Sequence, residues 1–252
     1  MSLNQIASFR QCVCDEERRQ RFGVTLVNLL LWLLIVVAVA ATLGGLLILV
    51  LFSWIIRSIV SEYQVRKLQA LGATVSAGQL PQVHEAALEV CRRFDVKHMP
   101  RIIVISSGET NAFAVRFARK RIVLMLSELL EGIIDDPGQL RALLAHEICH
   151  IVMDYGGRGT FEIYKPARYK AARELTCDNA GLAAAGDLTS GKDLIKKLCV
   201  GNKLHDRLAE PALIDEARTI YSGLIGWFVR RHLSHPPAGA RLANLEEFVN
   251  EA

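Results

Sequence analysis

The sequence lacks the features that mark several protein classes. Six cysteines among 252 residues are too few and too scattered for a disulfide framework, which excludes a small disulfide-rich secreted domain. Basic residues outnumber acidic ones only by 30 to 26, and no aromatic-basic recognition pattern is present, so no nucleic acid partner is expected. A disordered chain is also excluded, because 51% of the residues are hydrophobic.

Charge is absent from one long stretch near the N-terminus. No charged residue or histidine lies between Arg21 and Arg57. A bilayer core is about 30 Å thick and takes about 20 apolar helical residues, so this run is too long for one perpendicular span. Two shorter spans joined near Gly44 and Gly45 use the run better, because glycine permits a tight turn.

Basic residues flank both ends of this run and favour a cytoplasmic location for both. A hairpin satisfies that preference, whereas a single tilted span, the alternative, would place the remaining chain outside the cell. Ala38-Val39-Ala40 resembles a signal-peptide cleavage site, but the apolar sequence continues well beyond it. We therefore expect a membrane protein, anchored in the cell inner (plasma) membrane with its larger domain facing the cytoplasm.

The remainder has the mixed composition of a folded domain. A later apolar stretch, 219–229, is too short to cross a membrane. Residue patterns predict strands over 101–105, 111–115 and 121–126. They predict helices over 81–96, 136–154, 166–186 and 211–232, another that begins near residue 190, and a last short one after Pro237. The expected fold class is α+β, mainly helical with a small sheet. The expected divisions are an N-terminal tail (1–21), an anchor (22–60), a connection (61–80) and a domain (81–252).

One predicted helix carries His146-Glu147-Ile148-Cys149-His150. Histidines at i and i+4 lie on one helical face, so both imidazoles can bind one metal ion, for which zinc is the natural choice. Glu147 can accept a proton from metal-bound water and return it to a leaving amine. The apolar residues around the motif argue against a solvated surface helix, because burying such groups unsatisfied is costly.

The next predicted helix offers the third ligand that a catalytic zinc requires. Glu174 and Asp178 are spaced i and i+4 and share a face. Glu174 can complete a site of two histidines and one glutamate, and Asp178 can accept the distal ring N–H of a zinc histidine. Asp154, four residues after His150, is a weaker candidate ligand.

The sequence resembles the HtpX family of membrane zinc metallopeptidases in the order of four motifs. These motifs are Asn111-Ala112-Phe113-Ala114, the His-Glu-x-x-His motif, Glu174-x-x-x-Asp178 and Ser234-His235-Pro236. These belong to the gluzincins, which also include the CAAX prenyl proteases. The resemblance implies a gluzincin-type fold with one zinc ion per chain. It implies that His146, His150 and Glu174 bind the zinc ion and that Glu147 is the catalytic base. It also implies that Asp178 orients His146, and that His235 and Arg241 lie near the substrate carbonyl.

An unpaired strand edge could hold an extended peptide by main-chain hydrogen bonds. Asn111, Ala112 and Phe113 are the candidate edge residues, mainly through the family likeness. His235 could donate to the developing oxyanion, with His232 and Tyr164 as alternatives for that role.

The sequence thus predicts a membrane-anchored zinc endopeptidase that hydrolyses peptide bonds by Glu-assisted attack of zinc-bound water. The resemblance implies a role in membrane protein quality control, with polypeptides as substrates, membrane proteins among them. The alternative is a zinc-stabilised membrane scaffold without hydrolytic activity. The sequence leaves the oligomeric state open.

Overall fold

The computed structural model describes residues 3–42, 45–117, 120–155 and 163–251. Its first long elements are α1 (Asp15–Ala41) and α2 (Gly45–Leu71), which contact each other and form a hairpin. Both helices are long and apolar enough to cross a membrane, and almost none of the most apolar part of either helix is buried within the structure. Leu43 and Gly44, where the turn is expected, lie outside the described residues.

The segment before the hairpin packs onto the domain. It contains two 3-10 turns, Leu3–Gln5 and Phe9–Cys12, and Phe9 stacks on Phe94 with ring centroids 4.2 Å apart. Cys12 and Cys14 are buried, and the Cys14 N–H donates to the Thr176 hydroxyl over 3.1 Å. Ile6, Phe9 and Cys12 thus belong to the hydrophobic core of the domain.

A four-stranded sheet follows the hairpin. Its strands are β1 (Gly72–Thr74), β2 (Arg101–Ile105), β3 (Ala112–Phe117) and β4 (Lys120–Leu126), in the order β1-β2-β4-β3. β2 and β4 are parallel and the other two pairings are antiparallel, so β3 lies at an edge of this sheet. β1 falls where the sequence predicts only a connection, because three residues are too few for a recognisable pattern.

The core lies between the sheet and the central helices α3 (Pro81–Arg93), α4 (Ser127–Ile133), α5 (Pro137–Tyr155) and α6 (Ala167–Ala185). The Asp136 carboxylate accepts the Gln139 N–H over 2.9 Å at the start of α5, and Pro137 occupies a position that needs no N–H donor. Gly186, at φ 87°, ends α6. The expected α+β class is confirmed, although α4 is not predicted by the sequence.

The remaining helices are α7 (Leu188–Val200), α8 (Glu210–Ile220), α9 (Gly223–His232) and α10 (Ala238–Glu251). The prediction of one continuous helix over 211–232 is wrong. The chain breaks at Tyr221 and Ser222, and Gly223 adopts φ 65°, a conformation that glycine tolerates at little cost. α8 and α9 are therefore separate helices.

Candidate metal centre and cleft

Helices α5 and α6 pack unusually closely, and this contact brings the predicted site residues together. A Cβ atom on Gly181 of α6 would lie 2.8 Å from the Ala142 carbonyl oxygen of α5, closer than real Cβ atoms come. The residues before the histidines, Leu143 and Leu144, are buried in the core and fix the rotation of α5. The polar face of each helix is therefore turned toward the other.

His146, His150 and Glu174 form a cluster whose ligand atoms all lie within 4.8 Å of one another. The Nε2 atoms of His146 and His150 lie 3.5 and 3.3 Å from the two carboxylate oxygens of Glu174. The two imidazole rings are one helical turn apart, with centroids separated by 4.9 Å. Three donor groups that share one small volume suit a tetrahedrally coordinated metal ion whose fourth coordination position stays open.

Each histidine is oriented by a second carboxylate on its other ring nitrogen. His146 Nδ1 donates to Asp178 over 3.0 Å, and His150 Nδ1 donates to Asp154 over 3.0 Å. These bonds direct Nε2 of both rings toward Glu174, and a bound metal ion would take the place of the Nε2 protons. Asp154 thus lies behind His150 and not among the clustered donors.

Cationic side chains hold these orienting carboxylates. Arg241 of α10 forms a bidentate pair with Asp178, with N···O distances of 2.7 and 2.6 Å. Lys165 donates to Asp154 over 3.2 Å. Because a bidentate guanidinium pair fixes the plane of a carboxylate, Arg241 also fixes the direction in which Asp178 meets His146.

The histidines and carboxylates of the site shift one another's pKa. Burial would lower the pKa of both imidazoles, but Asp178 and Glu174 raise the pKa of His146 to about 9, and Asp154 and Glu174 raise the pKa of His150 well above its usual value. Burial would likewise raise the pKa of Glu174, yet its bonds to the two imidazoles bring it well below the usual range. The cluster therefore favours positive charge at its centre, which a divalent cation would supply in place of the two ring protons.

Glu147 is buried beside this cluster. Burial raises the pKa of its carboxyl, and the neighbouring histidines oppose that rise only in part. A carboxylate of raised basicity next to a metal centre is suited to accept a proton from water.

A cleft of about 470 Å³ opens onto the cluster. Glu147, His235 and Arg241 line it, together with the edge residues 111–114. His235 Nε2 lies 3.5 Å from a Glu174 oxygen, and 72% of the His235 side chain is exposed. The two alternatives for its role, His232 and Tyr164, are not among the residues that line this cleft.

β3 presents main-chain groups to the cleft. The Leu126 N–H donates to the Asn111 carbonyl, so the antiparallel alternation directs the backbone groups of Ala112 and Ala114 away from β4. Both alanines line the cleft and Phe113 is exposed beside them.

A buried ion network behind the cluster is not evident from the sequence. Arg173, adjacent to Glu174, pairs with Glu17 of α1 over 3.0 Å and approaches Asp154 to 3.5 Å. Glu17 also accepts the Thr176 hydroxyl over 2.6 Å and is fully buried. The sequence shows only that Glu17 lies close to the start of the apolar run. This position does not identify Arg173, which is far away in the chain, as its partner.

Comparison with known proteins agrees with this geometry. Residues 78–164 match the family model for peptidase family M48. Over 216 residues the chain is 26% identical to "Plastoglobule-localized metallopeptidase 48, chloroplastic" of Arabidopsis thaliana, an alignment that covers 73% of this chain and 62% of that relative. Over 78 residues it is 31% identical to "Protease HtpX homolog 2" of Methanosarcina acetivorans, covering 31% of this chain and 26% of that relative.

The chain thus spans less than two thirds of the length of these relatives. No solved structure matches it significantly. The matched family segment contains the whole His-Glu-x-x-His motif and the edge strand, while Glu174 and Asp178 lie beyond it. The predicted resemblance to the HtpX-like membrane zinc metallopeptidases is confirmed, and residues 78–164 are similar to peptidase family M48.

Proposed function

We propose that this protein is a membrane-anchored zinc endopeptidase. The observation that carries the proposal is the convergence of His146, His150 and Glu174, with a separate carboxylate behind each histidine. A purely structural zinc site tends to fill its fourth position with a protein ligand, whereas this cluster opens onto a cleft.

Zinc fits the donor set. Two imidazole nitrogens and one carboxylate are ligands that zinc accepts in tetrahedral geometry, and one ion per chain satisfies the cluster. When bound, zinc would act as a Lewis acid on water and on the substrate carbonyl.

The side chains then have separate roles in hydrolysis. Glu147 accepts a proton from the water that attacks the carbonyl carbon, and it returns that proton to the amide nitrogen as the C–N bond breaks. His235, exposed at the cleft, donates to the oxygen that gains charge. Asp178 and Arg241 position His146, and Asp154 positions His150.

Residues Asn111, Ala112 and Phe113 would bind the substrate as an added strand. The outward Ala112 carbonyl and the outward backbone groups of Ala114 support this role, since an extended peptide pairs with such an edge irrespective of its side chains. The Ala112 N–H already donates to the Asn111 side-chain oxygen over 2.9 Å. An edge of this kind suits an endopeptidase, because it does not require a chain terminus. Arg241 lines the same cleft and would contribute to substrate binding there.

We further propose that the catalytic domain faces the cytoplasm at the cell inner membrane and acts in membrane protein quality control on polypeptides near the bilayer. In this division of the chain, 22–60 is the anchor, 61–80 the connection and 81–252 the peptidase domain. Cys199 is exposed and can report the topology: a membrane-impermeant thiol reagent should label it only from the cytoplasmic side. Labelling from the opposite side would support the single-span alternative.

The substitution Glu147→Gln tests the mechanism. It should lower cleavage of an internally quenched peptide with both ends blocked by about 10²–10⁴-fold, because the general base is lost. Zinc content should not change, since Glu147 is not among the clustered donors. Glu128→Gln, at the start of α4 and outside the cleft, is the matched control and should retain activity. Undiminished cleavage by Glu147→Gln would refute the proposed base. A wild-type protein that holds zinc but cleaves no peptide would instead favour the scaffold alternative.

A further inference from the structure

Helix α9 carries its apolar side chains outward. Leu224, Ile225, Trp227 and Phe228 are 74%, 80%, 51% and 50% exposed. The amphipathic helices of a globular domain turn such residues toward the core. α9 does the opposite, and its large apolar face is not covered by the described residues of the domain.

The orientation of α9 is fixed by its opposite side. Gly226 is buried, and a Cβ atom there would lie 2.4 Å from the Tyr221 carbonyl carbon, so only glycine lets α9 fold back onto the end of α8. At about 100° per residue, the four outward side chains occupy about 160° of the helix circumference, and Gly226 faces away from them. The exposed face is therefore continuous.

α9 lies beside the point where the anchor begins. The Arg230 guanidinium is 3.8 Å from the carboxylate of Glu16, which belongs to the first turn of α1. Glu16 precedes the start of the uncharged run at Phe22 by only six residues, and Phe22 is itself 78% exposed. The outward face of α9 thus adjoins the segment that enters the membrane.

The ends of α9 also suit a membrane surface. Its last turn contains Arg230, Arg231 and His232, and the Arg231 guanidinium lies 5.3 Å from the Trp227 ring centroid. Aromatic rings next to basic groups are favoured where acyl chains meet headgroups. With ten residues, α9 is far too short to cross the bilayer, so its apolar face can only enter it from one side.

We propose that α9 is an interfacial helix, whose Leu224, Ile225, Trp227 and Phe228 lie at the boundary between headgroups and acyl chains of the bilayer that holds the α1–α2 hairpin. The domain then has a second attachment to the membrane besides its anchor. His235 follows α9 by three residues and lies 3.5 Å from Glu174, so the lipid surface would also hold the segment that borders the metal centre.

Tryptophan fluorescence tests this placement without reference to activity. The chain has three tryptophans, Trp32, Trp54 and Trp227. The full-length double variant Trp32→Phe/Trp54→Phe retains only Trp227 and would be placed, one copy per nanodisc, in brominated or unbrominated phospholipid. Emission from Trp227 should be blue-shifted and should lose intensity in the brominated discs. The variant that retains only Trp32, in the apolar run, is the positive control.

Substitution on the proposed face sharpens the test. In the Trp227-only protein, Ile225→Asp should reduce the quenching by brominated lipid, while Leu204→Asp, which alters an exposed leucine outside α9, should not. Thermal unfolding in detergent checks that both variants remain folded. Equal Trp227 intensity in both lipids would overturn the proposal, whether its emission is that of an indole in water or is blue-shifted by contact with protein.

Discussion

The pair between Glu17 and Arg173 predicts that the first turn of the anchor helix stabilises the catalytic domain. Glu17 accepts from Arg21 over 2.8 Å, from Arg173 over 3.0 Å and from the Thr176 hydroxyl over 2.6 Å. Both residues are buried, since only 0% of the surface of Glu17 and 4% of that of Arg173 are exposed to solvent. Glu17→Ala would leave the buried guanidinium with Asp154 at 3.5 Å as its remaining carboxylate.

The expected loss follows from the burial of the pair. Removing one partner of a buried ion pair costs about 3–5 kcal/mol. In a chain of this size about 1 kcal/mol corresponds to about 2–4 °C, so Glu17→Ala should lower the Tm by about 6–20 °C. Glu17→Gln should lower it less, because its side-chain oxygen can still accept from Thr176.

Thermal unfolding of the full-length protein in one detergent measures this effect. Asp15→Ala is the matched control: Asp15 lies in the same helical turn but pairs with the exposed Arg18, and exposed pairs contribute little. If Asp15→Ala and Glu17→Ala shift the Tm equally, or if neither does, the buried network does not connect the anchor to the domain.

Two further predictions concern the α5–α6 contact and its metal centre. Asp154→Asn removes the carboxylate that orients His150, and zinc affinity in competition with a chelator should fall by about 10–100-fold; an unchanged affinity would mean that Asp154 does not orient the ring. Gly181→Val should separate the two helices, because its Cβ would lie 2.8 Å from the Ala142 carbonyl oxygen. Both Tm and zinc content should then decrease. Gly78→Ala is the control and should change neither, because no atom lies within 4 Å of its Cβ. A Gly181→Val protein with full zinc content would show that the metal centre does not need the close approach of α5 and α6.

The parts of the fold that the sequence predicts depend on local periodicity. His146 and His150 are one turn apart on any helix, and the helix itself is indicated by Asp136, Pro137 and the apolar positions that follow. The uncharged run likewise predicts two long apolar helices from composition alone.

The features that the sequence does not predict depend on contacts between distant residues or on single backbone angles. Glu17 meets Arg173 only because the N-terminal segment packs beside α6, which no spacing rule anticipates. The separation of α8 from α9 depends on the positive φ of Gly223, and a lone glycine in an apolar stretch does not reveal it. The break separates α8 from α9, whose apolar side chains are exposed.

Metal content tests the central claim most directly. Mass spectrometry of the intact full-length protein, after exposure to zinc and removal of the free ion, should find one zinc per chain in the wild type and in Glu147→Gln. It should find essentially none in Glu174→Ala, because two imidazoles alone make a weak site. Stoichiometric zinc that resists a chelator equally well in Glu174→Ala would contradict the account, since the ion would then be held elsewhere.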